Sequence, residues 1–321
     1  GWEEYLEEEV AACEAIMNSN LFEVYSAAGW NSSNAYRNLF AMEVMSPKEA
    51  LLIRQYNTSD CPSDLDRIYR NCGLGATARF VNHYQMINGA SIATRPGYET
   101  EDINEVAQAR DPRLAQTIWT PGCKELDSGE SMEAENFSVT GYQPIKFRKS
   151  AMASSVGACF PILRYSEILL IYAEAKAELG TLRQSDLDKS VNLIRARVGM
   201  PAIVMSEANL SPDALLASYY PNVDKGRNKG IILEIRRERT VELALEGQRL
   251  WDMLRWHEGA QLGNWKSPIY GVYVKGEGNV IAHKGEQLPE EEWDEDRDYL
   301  WPIPAAEFAV PGNRLRQNYG Y

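Results

Sequence analysis

Hydrophobic residues repeat with helical spacing most regularly in the stretch between Ile231 and His257. Apolar positions fall three to four residues apart within each half of it, at Ile232, Ile235, Leu243, Leu250 and Leu254. This spacing predicts two amphipathic helices, and Gly247 between them predicts a tight joint. The polar positions carry charges at similar steps, at Arg239, Glu242, Glu246, Arg249, Asp252 and Arg255. Charges at these steps face each other along a helix, so we expect an ion ladder that supports the fold.

The same periodicity predicts further helices in the second half of the chain. One begins at Phe160 and ends at Gly180, because glycine fits a helix C-cap. Another begins at Ser185 as N-cap and ends at Gly199. A short helix follows Ser211. Repeated helix, short turn and helix is typical of a tetratricopeptide-like array, although the 34-residue period of such arrays is not kept here.

The other segments are less regular. Apolar steps predict a first helix over residues 2–18, a short helix over 33–40 and a strand over 50–56. Residues 121–158 show little periodicity, which predicts an irregular loop region. Residues 265–284 are rich in glycine, tyrosine and valine and predict a β-hairpin.

Length and pattern together bound the architecture. A chain of 321 residues with 44% hydrophobic residues is long enough for one large or two modest domains. We expect residues 1–159 to hold a helix and a loop-rich binding region, and residues 160–321 to hold a helical array with an extended C-terminal tail. The predicted fold class is mainly α, with tetratricopeptide-like helix pairs, irregular loops and a small β-hairpin region.

The net charge of the chain limits the classes of partner that it can bind. The formal net charge is −13, which argues against nucleic acid as a partner because neutralising phosphates needs clustered lysine and arginine. No run of eighteen apolar residues occurs, so no transmembrane helix is predicted. Within the acidic run over 286–298, the part from Glu290 to Asp298 could hold calcium, but it lacks the spaced ligands and glycine of a calcium loop, and we expect it to be solvated surface.

The sequence contains few signals for a metal site or a catalytic site. Five cysteines occur without a CxxC pair, and His83, His257 and His283 are widely separated, so no metal site is predicted. Cys61 and Cys72 could form a disulfide in an oxidising compartment or remain free thiols. The chain contains no GxSxG, HExxH, P-loop or GxGxxG motif, so we predict no catalytic residues and no cofactor.

Several separate segments, in order, resemble the SusD/RagB family of outer-membrane nutrient-binding lipoproteins. They are RDPRL at 110–114, GYQPIKF at 141–147, FPILRYSEILLIYAEAKAELG at 160–180, VNLIRARVGMP at 191–201, the stretch over 231–256, and YLWPIP with RLRQNYGY near the end. The segment GLGATARFVNHYQMINGAS at 73–91 also resembles the family's stretch in which a Gly-rich loop leads into a helix that ends at an Asn-Gly turn. Together these segments cover the chain from about residue 75 onward. The resemblance implies an α-helical body of tetratricopeptide-like helix pairs decorated by loops.

The resemblance also implies a function and a place in the cell. Members of this family capture oligosaccharide or another nutrient at the outer cell surface, without catalysis, and form the lid of a SusC-like TonB-dependent outer-membrane transporter. The family carries an N-terminal part with a signal peptide and a lipidated cysteine, which this chain does not contain. We therefore expect residues 1–321 to be a SusD-like domain lacking its N-terminal part, joined to the membrane only through a lipid anchor outside this sequence.

Ligand-binding residues cannot be transferred from the resemblance, because the motifs of this family are fold motifs. A sugar site needs an aromatic platform and planar polar groups, so aromatic and amide residues in irregular segments are the candidates. They are Trp30, Asn31, Asn34, Asn88, Arg95, Tyr98, Trp119, Asn264, Trp265, Tyr270 and Tyr273. For each aromatic one, packing beneath its own loop is the alternative. Trp251, Trp256 and Trp301 fall inside structural motifs and are assigned to the core.

Three functions remain open at this point. The first is non-catalytic binding of a glycan, and the second is binding of a peptide or another nutrient by the same fold. The third is glycoside hydrolysis, because a pair of the 46 acidic residues could serve as catalytic carboxylates. Binding to a panel of polysaccharides and peptides separates the first two functions, and turnover of reducing ends identifies the third.

Overall fold

Helices dominate the computed structural model, which describes residues 1–26, 35–42, 44–56, 73–134, 138–149, 159–224, 226–262, 268–282, 293–312 and 314–321. The described helices are α1 (Trp2–Asn18), α2 (Ala35–Phe40), α3 (Ala78–Val81), α4 (Ile103–Val106), α5 (Leu114–Thr117), α6 (Tyr165–Glu178), α7 (Gln184–Asp188), α8 (Val191–Arg197), α9 (Met205–Leu210), α10 (Ala214–Tyr219), α11 (Lys229–Glu242), α12 (Arg249–Arg255) and α13 (Ala305–Phe308). The strands are β1 (Ala50–Arg54), β2 (Phe160–Arg164), β3 (Tyr270–Val274) and β4 (Gly278–Ile281). Short 3-10 turns cover Ile92–Thr94, Tyr98–Thr100, Gly226–Asn228 and Gly259–Gln261.

The main core lies around α6. This helix packs against α1 on one side and against α11 on another, and α9 packs on α11. Leu169 and Tyr172 of α6 and Leu233 of α11 are fully buried, and Cys13 brings α1 onto the same core. A helix that is apolar on several faces must be enclosed by neighbours, so α6 is the centre of the helical array. The predicted first helix is confirmed.

The beginning of the predicted helix at Phe160 is wrong. Residues from Phe160 to Arg164 form β2, which pairs antiparallel with β1, and α6 begins only at Tyr165. In this two-stranded sheet Pro161 lies opposite Ile53. Proline lacks a backbone N–H but is tolerated in such a sheet, because each strand has one unpaired edge. The partner strand lies 110 residues earlier, which local periodicity does not reveal.

The predicted helix between Ser185 and Gly199 is divided into α7 and α8. Ser190 breaks it, with φ −133° and ψ −98°. Its hydroxyl donates to the carbonyl oxygen of Asp186 at 2.5 Å, a side-chain bond that competes with helical hydrogen bonding. The predicted end at Gly199 is confirmed by its left-handed φ of +74°.

Other predictions are confirmed. The helices α11 and α12 meet at Gly247, whose φ of +86° lies in the region that favours glycine. The strands β3 and β4 form the predicted hairpin. No helix among the described residues has both the length and the apolar character required to cross a bilayer. The core assignment is confirmed for Trp256 but wrong for Trp251 and Trp301, which are 56% and 76% exposed.

The charged residues of the joint form a buried network that we call the ion lattice. It consists of Glu49, Arg113, Lys146, Arg164, Arg197, Glu238, Glu242 and Glu246. Arg164 donates to Glu242 Oε1 at 2.8 Å and to Glu246 Oε2 at 2.6 Å. Arg113 and Arg197 approach Glu242 Oε2 at 3.1 Å and 2.5 Å. Burial opposes ionisation of Glu242, but these three guanidinium groups outweigh burial and hold its pKa well below the usual range.

The partners of the charged residues in α11, α12 and the joint correct the predicted ladder. Only the pair of Asp252 and Arg255, at 2.7 Å, joins two of the predicted charges along one helix among the described contacts. Arg239 pairs with Asp252 across the joint at 2.8 Å, and Glu246 pairs with Lys146 at 2.6 Å. The charges therefore connect distant segments of the chain instead of successive helical turns, and their supporting role in the fold is retained.

Candidate functional site

A polar cleft of about 530 Å³ opens between the segment 95–109 and the turn of the β3–β4 hairpin. Its wall is formed by Arg95, Pro96, Gly97, Thr100, Glu101, Glu105, Gln108, Ala109 and Lys275. This volume falls in the range of small-molecule sites. The cleft lies in a loop region over the helical body, where binding residues are commonly found.

Arg95 organises one wall of the cleft. Its Nη1 donates to both carboxylate oxygens of Glu101, at 3.1 and 2.9 Å, and to the carbonyl oxygen of Glu105 at 3.0 Å. Its Nη2 donates to the carbonyl oxygen of Gln108 at 2.5 Å and lies 3.2 Å from Met86 Sδ. These bonds hold the loop in one shape, so Arg95 primarily positions the wall.

Lys275 closes the opposite side. Its Nζ lies 2.7 Å from Glu105 Oε1 and 3.2 Å from Asp102 Oδ2, and its side chain is 60% exposed. The hydrogen bonds to Glu105 and Asp102 raise the pKa of Lys275. Asp102 and Glu105 also form a capping box at the beginning of α4, which aligns both carboxylates with the lysine. An exposed ammonium group in this position can rearrange toward a ligand hydroxyl without losing a buried charge.

Three candidate tyrosines lie on the elements that adjoin the cleft, although none of them is part of its wall. The turn of Tyr98–Thr100 packs against β3, which carries Tyr270 and Tyr273. Tyr98 is half-buried and its hydroxyl donates to Glu99 at 3.3 Å. Tyr270 is 46% exposed, and Tyr273 is half-buried. The structure thus places four candidates, Arg95 and these three tyrosines, on two adjoining elements.

Two other candidates have local roles elsewhere. Asn88 is exposed in a turn, where its Oδ1 accepts a hydrogen bond from the backbone N–H of Ala90 at 3.1 Å. Trp119 is half-buried, and its indole N–H donates to the carbonyl oxygen of Met132 at 2.7 Å. Neither residue lines the polar cleft.

Some predictions fall outside the described residues. The remaining candidates are Trp30, Asn31, Asn34, Asn264 and Trp265. The same holds for the pairing of Cys61 with Cys72 and for residues 286–292 of the acidic run.

The sequence reasoning missed most of the polar wall. Glu101, Glu105, Gln108 and Lys275 were not among the candidates, although they line the cleft. The spacing of Asp102 and Glu105 is a readable capping signal, but it indicates only where a helix begins. Lys275 lies 170 residues from Glu105 along the chain, so no local pattern joins them.

The described histidines and cysteines have structural surroundings. Within the described ranges, no cluster of histidine, cysteine and acidic side chains has the geometry to hold a metal ion. Cys13, Cys123 and Cys159 are free thiols. His83 is buried, with its ring nitrogens 2.8 Å from the Tyr220 hydroxyl oxygen and 2.9 Å from the carbonyl oxygen of Arg79. Burial lowers its pKa well below the usual range, which favours a neutral structural histidine.

Together, the helix pairs and the cleft above them define a helical scaffold that presents loops. The chain belongs to the SusD family, whose sequence model matches residues 39–321. A relative called SusD-like protein P2, from Formosa agariphila, is 33% identical over 159 residues, which is 50% of this chain and 25% of that protein.

Solved structures show the same fold. A SusD-like protein from Bacteroides fragilis has a TM-score of 0.66 at 22% identity, covering 99% of this chain and 62% of that one. A SusD-like carbohydrate binding protein from the same species has a TM-score of 0.67 at 21% identity, covering 95% of this chain and 60% of that one. The chain thus matches about three fifths of the length of these structures, and the mainly helical, tetratricopeptide-like fold class is confirmed.

Proposed function

We propose that this chain binds oligosaccharide at the outer cell surface, without turning it over, and delivers it to a SusC-like TonB-dependent outer-membrane transporter. Membership of the SusD family and the similarity to a solved carbohydrate binding protein support this proposal. The proposal includes lipid anchoring of the full-length protein at the extracellular face of the outer membrane.

The observation that carries the binding proposal is the polar cleft with tyrosines beside it. Sugar rings offer apolar faces to aromatic side chains and hydroxyls to planar polar groups. Tyr98 and β3 provide aromatic surface next to the cleft, while Gln108 and Lys275 provide hydrogen-bonding groups in its wall. The untested candidates in the segments around Trp30 and Trp265 remain part of the proposed binding surface.

The electrostatics of the cleft favour binding over hydrolysis. A general acid for glycoside cleavage needs a carboxyl group whose pKa is raised. The hydrogen bond from Lys275 instead lowers the pKa of Glu105. Both carboxylate oxygens of Glu101 accept hydrogen bonds from Arg95. These two carboxylates of the cleft are therefore engaged in fixing its shape.

Affinity electrophoresis against a panel of neutral and acidic polysaccharides tests the proposal. We expect at least one polysaccharide to retard the protein, with no release of reducing ends during prolonged incubation. Retention by none of them, together with calorimetric binding of a peptide from a mixed peptide library, would replace the glycan proposal by peptide binding. Release of reducing ends by the purified protein would replace it by hydrolysis.

A further inference from the structure

A second and more apolar pocket lies at the joint between α11 and α12. Its volume is about 540 Å³, within the range of small-molecule sites. It shares no lining residue with the polar cleft. Carbon forms most of its wall, which includes Phe80, Ile118, Pro144, Leu243 and Leu250.

Three charged side chains also lie in this wall, and among the described residues only one of them has no partner of opposite charge. Arg239 and Asp252 pair with each other at 2.8 Å. Arg249 donates from Nη1 to the Thr240 hydroxyl at 2.9 Å, but it forms no ion pair with any carboxylate in the part of the chain that the structure describes. Thr240 lines the same pocket and holds this guanidinium group in the wall.

The position of Arg249 differs from that of the other arginines near the joint. The guanidinium groups of Arg113, Arg164, Arg197 and Arg239 each meet at least one carboxylate. Arg249 is half-buried and has the rings of neighbouring aromatic residues at 5.6 and 5.7 Å. A cation that is partly removed from water beside carbon is stabilised by a counter-ion, and a guanidinium group pairs best with a planar carboxylate.

We infer that this pocket binds a small ring that carries a carboxylate group. The carboxylate pairs with Arg249, while an apolar ring face lies against Phe80 and the aliphatic wall. A uronic acid and an aromatic acid share this chemistry, and the test below distinguishes them. The inference adds a second site of different chemistry and stands whether or not the polar cleft binds glycan.

The test is a titration of the protein with D-glucuronate, D-glucose, benzoate and benzamide, followed by ligand-observed NMR and calorimetry. Each acid has a neutral counterpart of similar shape. We expect one acid to bind at least tenfold more tightly than its neutral counterpart, and added salt to weaken this preference. Preference for glucuronate identifies a sugar acid as the ligand class, and preference for benzoate identifies an aromatic acid.

Two substitutions locate the binding. Arg249→Met removes the charge and should reduce the affinity for the preferred acid at least tenfold, whereas Arg249→Lys keeps a cation and should retain part of it. Arg227→Met serves as the matched control, because Arg227 is exposed and lies outside the pocket wall. The inference is overturned if neither acid binds better than its neutral counterpart, or if Arg249→Met binds the acid like the wild type.

The comparison of acid with neutral compound uses the unmodified protein, so it decides the question even if Arg249→Met does not fold. Failure of this test is also distinct from failure of the proposed glycan function. That function depends on the cleft and is measured with variants of Tyr98 and Lys275, neither of which lines the pocket.

Discussion

The ion lattice and the polar cleft contain the same types of charged side chain, but the side chains are buried in the lattice and exposed to solvent in the cleft. In the lattice, Arg164 and Glu242 are at most 1% exposed and bond to partners inside the protein. In the cleft, the Lys275 side chain is 60% exposed, so its ammonium group contacts water as well as the carboxylates of Asp102 and Glu105. Charge density alone therefore does not mark a binding site. The useful distinction is whether charged groups keep contact with solvent and can exchange partners.

The largest effect should come from breaking the lattice at its centre. Replacing Glu242 by alanine leaves Arg113, Arg164 and Arg197 without their shared carboxylate. Loss of one partner from a buried ion network costs about 3–5 kcal/mol, and we expect the free energy of unfolding in urea to fall by this amount. Glu207→Ala is the control, because Glu207 is exposed, and should change it by less than about 0.5 kcal/mol. Equal effects of the two substitutions would contradict the supporting role of the lattice.

Acid should weaken the ion lattice and also the separate buried cluster in which Glu174 pairs with Arg239 and Arg255. Burial opposes ionisation of Glu174, but Arg239 and Arg255 outweigh it and lower its pKa from 4.5 to about 2. For a carboxylate with a lowered pKa, the unfolded chain takes up protons first, so its stabilisation is complete above pH 4.5 and is lost as the pH falls toward 2. Glu242 acts in the same direction. Melting temperatures measured between pH 7 and pH 2 should fall below pH 4.5, and a constant value down to pH 3 would contradict this account.

Glu167 should behave in the opposite way. Its burial raises its pKa to about 7, although Arg239 counteracts part of this shift. The folded protein thus favours the protonated side chain, and this contribution is present below pH 4.5 and lost as the pH rises through 7. Glu167→Gln should therefore stabilise the protein at pH 8 by on the order of 1–3 kcal/mol and have little effect at pH 4.5. Urea unfolding at both pH values measures this, and a destabilising effect at pH 8 would show that the ionised carboxylate is needed.

The smallest effect on stability should come from the cleft. Lys275→Met removes the exposed ammonium group, and water can solvate the two released carboxylates. We expect an unchanged melting temperature by differential scanning calorimetry and weaker retention in the polysaccharide gels. A large drop in melting temperature would place Lys275 with the supporting charges of the lattice.

Local signals in the sequence predicted the elements well. The spacing of apolar residues located α11 and α12, and Gly247 located their joint. The same signals failed where the partner lies far away along the chain. Phe160 forms a strand because β1 offers it backbone partners, and the charges of the joint pair with residues such as Arg164 instead of their helical neighbours.

The candidate site shows this limit more clearly. Aromatic residues in irregular segments are visible in a sequence, so Tyr98 and Tyr270 could be selected. The polar wall of the cleft depends on Lys275 meeting Glu105 of α4 across 170 residues, and only the folded chain brings these groups together. That Arg249 meets no carboxylate among the described residues is likewise a property of the packed structure.

The central proposal is tested most directly by calorimetry. An oligosaccharide prepared from the polysaccharide that retards the protein is titrated into the wild-type protein and into Tyr98→Ala. Tyr98 adjoins the cleft, and Tyr5→Ala is the matched control because Tyr5 is 75% exposed on α1. The account predicts that Tyr98→Ala loses at least tenfold in affinity while Tyr5→Ala binds like the wild type, with melting temperatures unchanged. Equal affinity of Tyr98→Ala and the wild type would contradict the placement of glycan binding at this cleft.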